Sequence, residues 1–478
     1  MLTTTKKSRK VIPPLPPGPR GLPIIGYLPL LGTELHRKFE ELAGVYGPIY
    51  KVWLGQKLCV VVNSPSLVKE VVRDQDTIFC NRDPPIAALA ATFGFGGADI
   101  AFSSYGPDWR KLRKIFVREM LSNANLESSY TLKREEVKNS IRNVYDKIGT
   151  PIDFGELAFV TVINAMLNMW GGTLQGEEGA KFKKLIAEMV LFGKPNVSDL
   201  SQQSKMIFQW SENILDTAIE KRMNSNEGKQ DGTGKFEQKE DFLQFLLELR
   251  RKNDAATSIS MTQVKALLWV IMEGGSETTA TTVEWVMAEL MQHSEAMRKV
   301  NEELTEIVGS DSLVEESHLP KLHYLDAVVK KTCRLHPALP FLVPRCPSQS
   351  STIGGYYVPK ATRILLHVWA IHRDPNIWEN PLEFQPVRFL NDPSKFDFSG
   401  NDFKYIPFGS GRRICAGIPL AERTLTYTIA SFLHSFEWKL PQGTELEFLD
   451  KFGIVAKKLK PTVAIPAPKL SKFELYTK

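Results

Sequence analysis

Apolar residues recur every three or four positions over much of this chain, and alternate with polar ones over only a few short stretches. The first pattern predicts helices at 34–46, 65–73, 107–117, 324–335 and 420–436. It also covers most of 123–252, with breaks at 149–151, 171–172 and 195–197. Its longest uninterrupted run predicts one helix over 261–293. The second pattern predicts strands at 49–54 and 58–63, turned around Gly55. Strands at 353–358 and 362–369 are expected to pair around Pro359-Lys360. The expected fold class is mainly α with small β-sheets (α+β).

Three segments have neither period. Pro13-Pro14-Leu15-Pro16-Pro17-Gly18-Pro19-Arg20-Gly21 reads as a stiff polyproline stretch. Residues 82–104, rich in Gly, Pro and Ala, predict a long loop of the kind that is usually functional in an enzyme. Residues 224–240 are polar and predict a mobile loop.

With 478 residues, 43% of them hydrophobic and 24% charged, the chain can bury a large core. A formal charge of +6 suits an acidic partner or a membrane surface and does not indicate nucleic-acid binding. The five cysteines, Cys59, Cys80, Cys333, Cys346 and Cys415, are widely spaced with no Cys-x-x-Cys pair. That pattern suggests neither a disulfide framework nor a zinc site, and a reducing compartment fits it. No run reaches the roughly 18 apolar residues that a membrane span requires. No secretory signal precedes the prolines.

Chemistry concentrates in Phe408-Gly409-Ser410-Gly411-Arg412-Arg413-Ile414-Cys415-Ala416-Gly417. One cysteine lies between glycines and an arginine pair, just ahead of a helix whose first turn Pro419 presets. The dipole and unpaired N–H groups of a helix N-terminus stabilise a thiolate there. Gly411 and Gly417 permit sharp turns and close approach of a flat ligand, and Arg413 can pair with an acidic group on it. The loop resembles the haem-binding signature of the cytochrome P450 family, Phe-x-x-Gly-x-Arg-x-Cys-x-Gly. Phe408, Gly411, Arg413, Cys415 and Gly417 stand at its defined positions. The resemblance implies haem b, with Cys415 as the proximal thiolate ligand.

The predicted 261–293 helix contains Gly274-Gly275-Ser276-Glu277-Thr278-Thr279. Two glycines inside a helix cost about 1 kcal/mol each relative to alanine, and would clear bulk where a planar cofactor lies. Thr278 can turn its hydroxyl away from its own backbone carbonyl, opening the helix and admitting water. Glu277 beside it supplies a carboxylate to relay protons. The run matches the family's (Ala/Gly)-Gly-x-(Asp/Glu)-Thr-Thr motif. By that resemblance Glu277 and Thr278 are catalytic and deliver protons for heterolytic O–O cleavage. Glu273 is an unexpected charge near the expected haem face and is assigned to the substrate pocket.

The resemblance extends from Pro13 onward. Trp109 and Arg113 share one helix face and match the Trp-x-x-x-Arg pair that holds a haem propionate in this family, and Arg345 stands at another propionate position. The loop 82–104 is implied to roof the substrate pocket through Phe93, Phe95 and Ile100. Phe341, Leu342 and Val343 resemble a pocket-lining strand, and Ile454 a final pocket turn. Arg110, Lys111 and Lys114 look solvated and suit a reductase-docking face.

The pattern fails at one place. Where the family has Glu-x-x-Arg, this chain reads Lys331-Thr332-Cys333-Arg334, and Val387 replaces the acid that precedes Arg388 in Phe384-Gln385-Pro386-Val387-Arg388-Phe389. Arg334 and Arg388 would then meet without a carboxylate, at a cost of several kcal/mol. Either another acid has moved in, or Lys331 turns outward, or haem retention is impaired.

The resemblance implies a cytochrome P450 fold, with one catalytic domain over 22–478 behind a basic, proline-rich hinge at 1–21. An apolar anchor like that of microsomal members is expected to be absent ahead of that hinge, and the 195–205 connection is short and polar where plant members carry a longer apolar segment. The implied activity is a monooxygenase acting on a lipophilic plant specialised metabolite, terpenoid or flavonoid/phenolic. Electrons would come from NADPH through a separate reductase, since no Gly-x-Gly-x-x-Gly follows a strand. A monomer at the cytosolic face of the endoplasmic reticulum membrane is expected. Two alternatives stand. One is a haem-thiolate isomerase or dehydratase, against which the Glu277-Thr278 pair argues. The other is a catalytically impaired haem-binding protein, which Lys331 and Val387 motivate.

Overall fold

Helices account for most of the ordered structure in the computed structural model, which describes residues 12–83, 99–169, 209, 212–224, 241–251, 258–391 and 396–477. The principal ones are α1 (Leu35–Tyr46), α2 (Pro107–Lys114), α3 (Tyr130–Tyr145), α4 (Phe154–Met169), α5 (Met261–Gly275), α6 (Glu277–Gln292), α7 (Ser294–Val308), α8 (His323–Leu335) and α9 (Ile418–Ser435). α6 is buried almost all round, which places it at the centre, packed by α4, α8 and α9. Its three buried acids each have a partner elsewhere in the chain. Glu277 meets Lys457, Glu284 accepts from the Thr462 N–H at 2.9 Å, and Glu289 lies 2.6 Å from His336 Nε2.

The predicted single helix over 261–293 is in fact two. A capping box at Ser260 and Gln263 starts α5, and the helix breaks at Ser276, whose ψ is −66°. The break falls where propensity is lowest, after Gly274-Gly275. The Ser276 and Thr278 hydroxyls donate back to the carbonyls of Met272 (2.6 Å) and Gly274 (2.7 Å) and compete with the helix ladder there. The 65–73 and 107–117 helices also end differently from expectation, widening into i→i+5 turns at Glu70–Asp74 and Ile115–Met120.

The main sheet contains β1 (Ile49–Leu54), β2 (Lys57–Val62), β3 (Asn81–Arg82), β4 (Arg345–Cys346) and β5 (Arg363–Leu366), in the order β1-β2-β5-β4-β3. β1 and β2 form the expected hairpin, from Ile49↔Val62 to Leu54↔Lys57, around Gly55. The second expected pairing is corrected. Ser351–Ile353 folds back on Tyr356–Val358 across Gly354-Gly355, both at positive φ, while β5 runs parallel to β2 with Val60 opposite Ile364. Ile364-Leu365-Leu366 is buried, as suits an inner strand flanked on both sides. The expected 341–345 strand is reduced to Arg345–Cys346, because Leu342 turns to φ +53° and Pro344 has no N–H to pair.

The proline stretch is fastened to this sheet rather than standing free. Pro17 O accepts from the Lys51 N–H at 2.7 Å and Pro16 O from Lys51 Nζ at 2.6 Å. A Cβ on Gly18 would lie 2.0 Å from Lys51 O, so the close approach needs glycine. A short ribbon, β6 (Asp450–Lys451) with β7 (Lys457–Lys458), lies near the start of α6. The break expected at 149–151 separates α3 from the strand at Ile152–Asp153. Those at 171–172 and 195–197, the 195–205 connection, the 225–240 part of the polar loop, Phe93 and Phe95 lie outside the described residues. Among those residues no helix is long and apolar enough to cross a membrane.

Candidate functional site

The cysteine loop is shaped by three backbone bonds. Gly409 N donates to Ile406 O (2.9 Å), Ile414 N to Gly411 O (3.0 Å) and Cys415 N to Phe408 O (2.9 Å). Gly411 sits at φ +69°, and a Cβ there would come within 2.2 Å of Val72 O, so the loop passes where only glycine fits. Phe408 is seated edge-on against Phe398, 4.8 Å between ring centroids. α9 starts at Ile418 with Gly417 as its N-cap, three residues past Cys415. Cys415 is itself exposed, and the protein packed around it pushes its thiol above the ordinary range, while the Gly417 N–H and the Arg113 guanidinium pull the other way. A thiolate here therefore depends on a cation to hold it.

Beside this loop four guanidiniums converge. Arg413 donates to the carbonyls of Cys80 (2.6 Å), Ser103 (2.5 Å) and Ile100 (3.3 Å) and lies 4.2 Å from the centre of the Trp109 ring. Arg113 donates to Ile414 O at 2.5 Å, inside the cysteine loop itself. Arg345 donates to Ser410 O at 2.6 Å. Arg82, which sequence reading missed, donates to Val343 O at 2.5 Å. Trp109 Nε1 donates to Ile100 O at 3.0 Å. Burial lowers the pKa of all four arginines, Arg413 to about 10, and mutual repulsion lowers those of Arg82 and Arg413 further. Among the described residues, Asp76 stands 3.5 Å from Arg345 Nη1 and is shared with Arg412 at 2.9 Å, and Asp99 lies near enough to Arg413 for each to feel the other's charge. Arg345 Nη1 is buried without a hydrogen-bond partner among the described residues. Such an excess of buried positive charge calls for an anion.

The central-helix motif is brought together differently from expectation. Thr278 does not turn away from the backbone: its hydroxyl donates to Gly274 O at 2.7 Å. Gly274 faces open space where a Cβ would stand, whereas Gly275 packs against Met166, 3.4 Å from its sulfur. One glycine of the pair thus admits a neighbour from α4, and the other leaves room for a flat ligand. Glu277 is buried against Lys457 Nζ at 2.5 Å, a partner with no local sequence signal. Glu273 is pushed up to about 7 by burial and by the nearby charge of Asp99.

The remaining pocket candidates separate. Ile100 is buried and serves through its carbonyl, on Trp109 and Arg413. Phe341 belongs to the core, 5.2 Å from Phe39 and 5.9 Å from Phe452 between ring centroids, rather than to an open wall. Leu342 stands 3.5 Å from where a Cβ on Gly409 would be, and Val343 offers its carbonyl to Arg82. Ile454 is 42% exposed. Of the basic residues on α2, Arg110 and Lys114 are exposed, but Lys111 reaches the Ser258 carbonyl.

At the departure from Glu-x-x-Arg, Lys331 is fully buried, and its Nζ has no hydrogen-bond partner among the described residues. It neither turns outward nor finds an acid in contact. Burial and the charges of Arg334 and Arg388 lower its pKa to about 6, against a weaker pull from Glu289. Arg334 donates to the carbonyls of His372 and Pro381, and Arg388 to Glu379 O at 2.5 Å. Both stand over the Trp378 ring, at 4.9 and 5.8 Å from its centre.

The family model described as Cytochrome P450 matches residues 16–465. This chain is a cytochrome P450. A flavonoid 3'-monooxygenase of Crocosmia x crocosmiiflora is 35% identical to it, over 96% of this chain and 93% of that protein. A flavonoid 3',5'-hydroxylase of Solanum melongena is 36% identical over 97% of this chain and 92% of that one. A carnosic acid synthase of Rosmarinus officinalis is 35% identical over 95% and 93%. A solved zebra fish cytochrome P450 with progesterone superposes with a TM-score of 0.79 at 26% identity, covering 91% of this chain and 99% of that one. The P450 is thus an oxygen-incorporating oxidoreductase of plant specialised metabolism that uses haem b and takes electrons from NADPH through a reductase. Its residues fit that cofactor: a cysteine at a helix N-terminus, open space at Gly274, and an arginine cluster short of carboxylates with an orphaned Arg345 donor.

Proposed function

We propose that this P450 hydroxylates a flavonoid or related phenolic, with a terpenoid as the second reading. In this reading Cys415 holds the haem iron, and Trp109, Arg82, Arg113, Arg345 and Arg413 hold the two propionates. The observation that carries the cofactor assignment is the cluster of four arginines, which outnumber the carboxylates Asp76 and Asp99 beside them, joined to the cysteine loop through Arg113 and Arg413. Haem, when bound, would supply dioxygen activation, and the Cys415 thiolate would tune it by donating electron density. The chain's own part is to hold and move protons. Glu277 keeps one near the break between α5 and α6, and Thr278 releases its bond to Gly274 O to pass it on. Flavonoid hydroxylases among the relatives support the substrate class, as does Glu273, whose carboxyl of pKa about 7 can pair with a phenolic hydroxyl.

The same reading makes 22–478 one catalytic domain of a monomer at the cytosolic face of the endoplasmic reticulum. Leu22, Ile24, Ile25, Leu28 and Leu30 are exposed apolar residues that suit a membrane surface. Arg110 and Lys114 offer basic contacts for the reductase. The reduced carbon monoxide complex of the purified protein should show the red-shifted Soret band of a thiolate ligand. A panel of flavonoids and terpenoids should then separate by substrate-induced spin-state change. An unshifted band overturns the ligand assignment, and turnover without NADPH and reductase would favour an isomerase.

A further inference from the structure

We propose that Lys457 is a positioning residue that holds the Glu277 carboxylate for proton relay and joins it to solvent through the β6–β7 ribbon. This rests on the relay role given to Glu277 above. Glu277 opens α6 with its side chain 2% exposed, and its Oε2 lies 2.5 Å from Lys457 Nζ. Its Oε1 is buried with no hydrogen-bond partner among the described residues. A carboxylate isolated in such a place protonates and ceases to accept. Burial does push Glu277 upward, and Lys457 is the charge that opposes it.

Lys457 has the right placement for a connection outward. Its side chain is 28% exposed, and an ammonium has three donors, so those not directed at Glu277 can face water. The apolar ring of Phe159 on α4 lies 6.0 Å away. The ribbon that carries it is fastened at several points. Lys457 stands opposite Lys451, and Asp450 next to it lies 3.1 Å from His36 Nε2 and 3.4 Å from Arg37 on α1. Lys458 donates to Glu447 O. Of the surrounding charges, Glu284 accepts from the Thr462 N–H and feels Lys458, Asp153 and, more weakly, Lys457, while Lys458 is drawn to Glu284, Glu289 and Glu447. The turn between the two strands carries Ile454, a candidate substrate contact three residues before Lys457. After Glu277 has given up its proton, Lys457 stabilises the anion until a proton returns along this ribbon.

The test compares Lys457→Met and Lys457→Arg with the parent holoenzyme. The infrared carboxyl band of Glu277, assigned by its disappearance in Glu277→Gln, is followed against pH in the resting protein. Its midpoint should rise about tenfold in proton affinity in Lys457→Met and stay unchanged in Lys457→Arg. The share of NADPH lost to hydrogen peroxide should rise several-fold in the first and return to the parent level in the second. An unmoved midpoint overturns the proposal, and so does a moved midpoint with unchanged coupling, which leaves a structural ion pair. If Glu277→Gln itself couples normally with an intact carbon monoxide spectrum, the relay reading fails instead, independently of Lys457. Should Lys457→Met not fold, the uncharged Lys457→Gln serves the same comparison.

Discussion

Lys331 and Arg334 lie one turn apart on α8, both fully buried, and no carboxylate separates them. The conflict is relieved by chemistry on each side. Lys331 gives up its proton, and Arg334 spreads its charge over two backbone carbonyls and the Trp378 ring. The sign of the pH effect follows. A lysine held near pKa 6 in the fold and near 10.5 when unfolded binds more protons in the unfolded state between those values. Stability should therefore rise with pH across that window and be lowest below pH 6, where the penalty is complete. Lys331→Met should flatten the slope between pH 7 and 9 and stabilise the protein by roughly 1–4 kcal/mol, measured by chemical denaturation at both pH values. A parallel slope in the variant would contradict a neutral Lys331.

Removing one guanidinium from the cluster should weaken haem retention without weakening the polypeptide. Arg345→Ala relieves repulsion from Arg82 and Arg413 but removes a donor whose one ion-pair contact among the described residues, Asp76 at 3.5 Å, is long and shared with Arg412. A charge-assisted hydrogen bond contributes about 1.5–3 kcal/mol. Haem transfer to a scavenger protein should accordingly speed up by at least tenfold while the apoprotein melts within a few degrees of the parent.

Cys415→Ala should abolish the thiolate spectrum and keep most of the helical circular dichroism, because the loop is held by backbone bonds and by Phe408 rather than by the sulfur. A red-shifted carbon monoxide band that survives this change would rule out Cys415 as the ligand.

Gly411→Ala meets both a positive φ and the Val72 carbonyl. We expect a loss of about 2 kcal/mol or more. Gly274→Ala, by contrast, places its methyl in open space inside a helix and should be stabilising or neutral in the apoprotein, while lowering haem or substrate affinity. Equal melting temperatures for the two variants would be unexpected.

Thr278→Ala removes a hydroxyl whose bond to Gly274 O costs the helix little to lose. Stability should change by less than about 0.5 kcal/mol. Product formed per NADPH should fall by roughly tenfold as reducing equivalents pass to peroxide.

What the linear order determined is whatever depends on neighbours a few residues apart. Cys415 ahead of α9, the two glycines before Glu277-Thr278, and the hairpin at Gly55 follow from spacing, because backbone geometry turns short separations directly into positions. Family membership follows from the same local signatures. Other features were settled only by the fold. Arg82 joins Arg345 and Arg413 across hundreds of residues, Lys457 reaches Glu277, and β5 pairs in parallel with β2 rather than folding back on Tyr356–Val358. No local period encodes such meetings. The charge on Lys331 is of the same kind. Its side chain is an ordinary lysine in the sequence, and only the low dielectric and the arginines packed around it make it neutral.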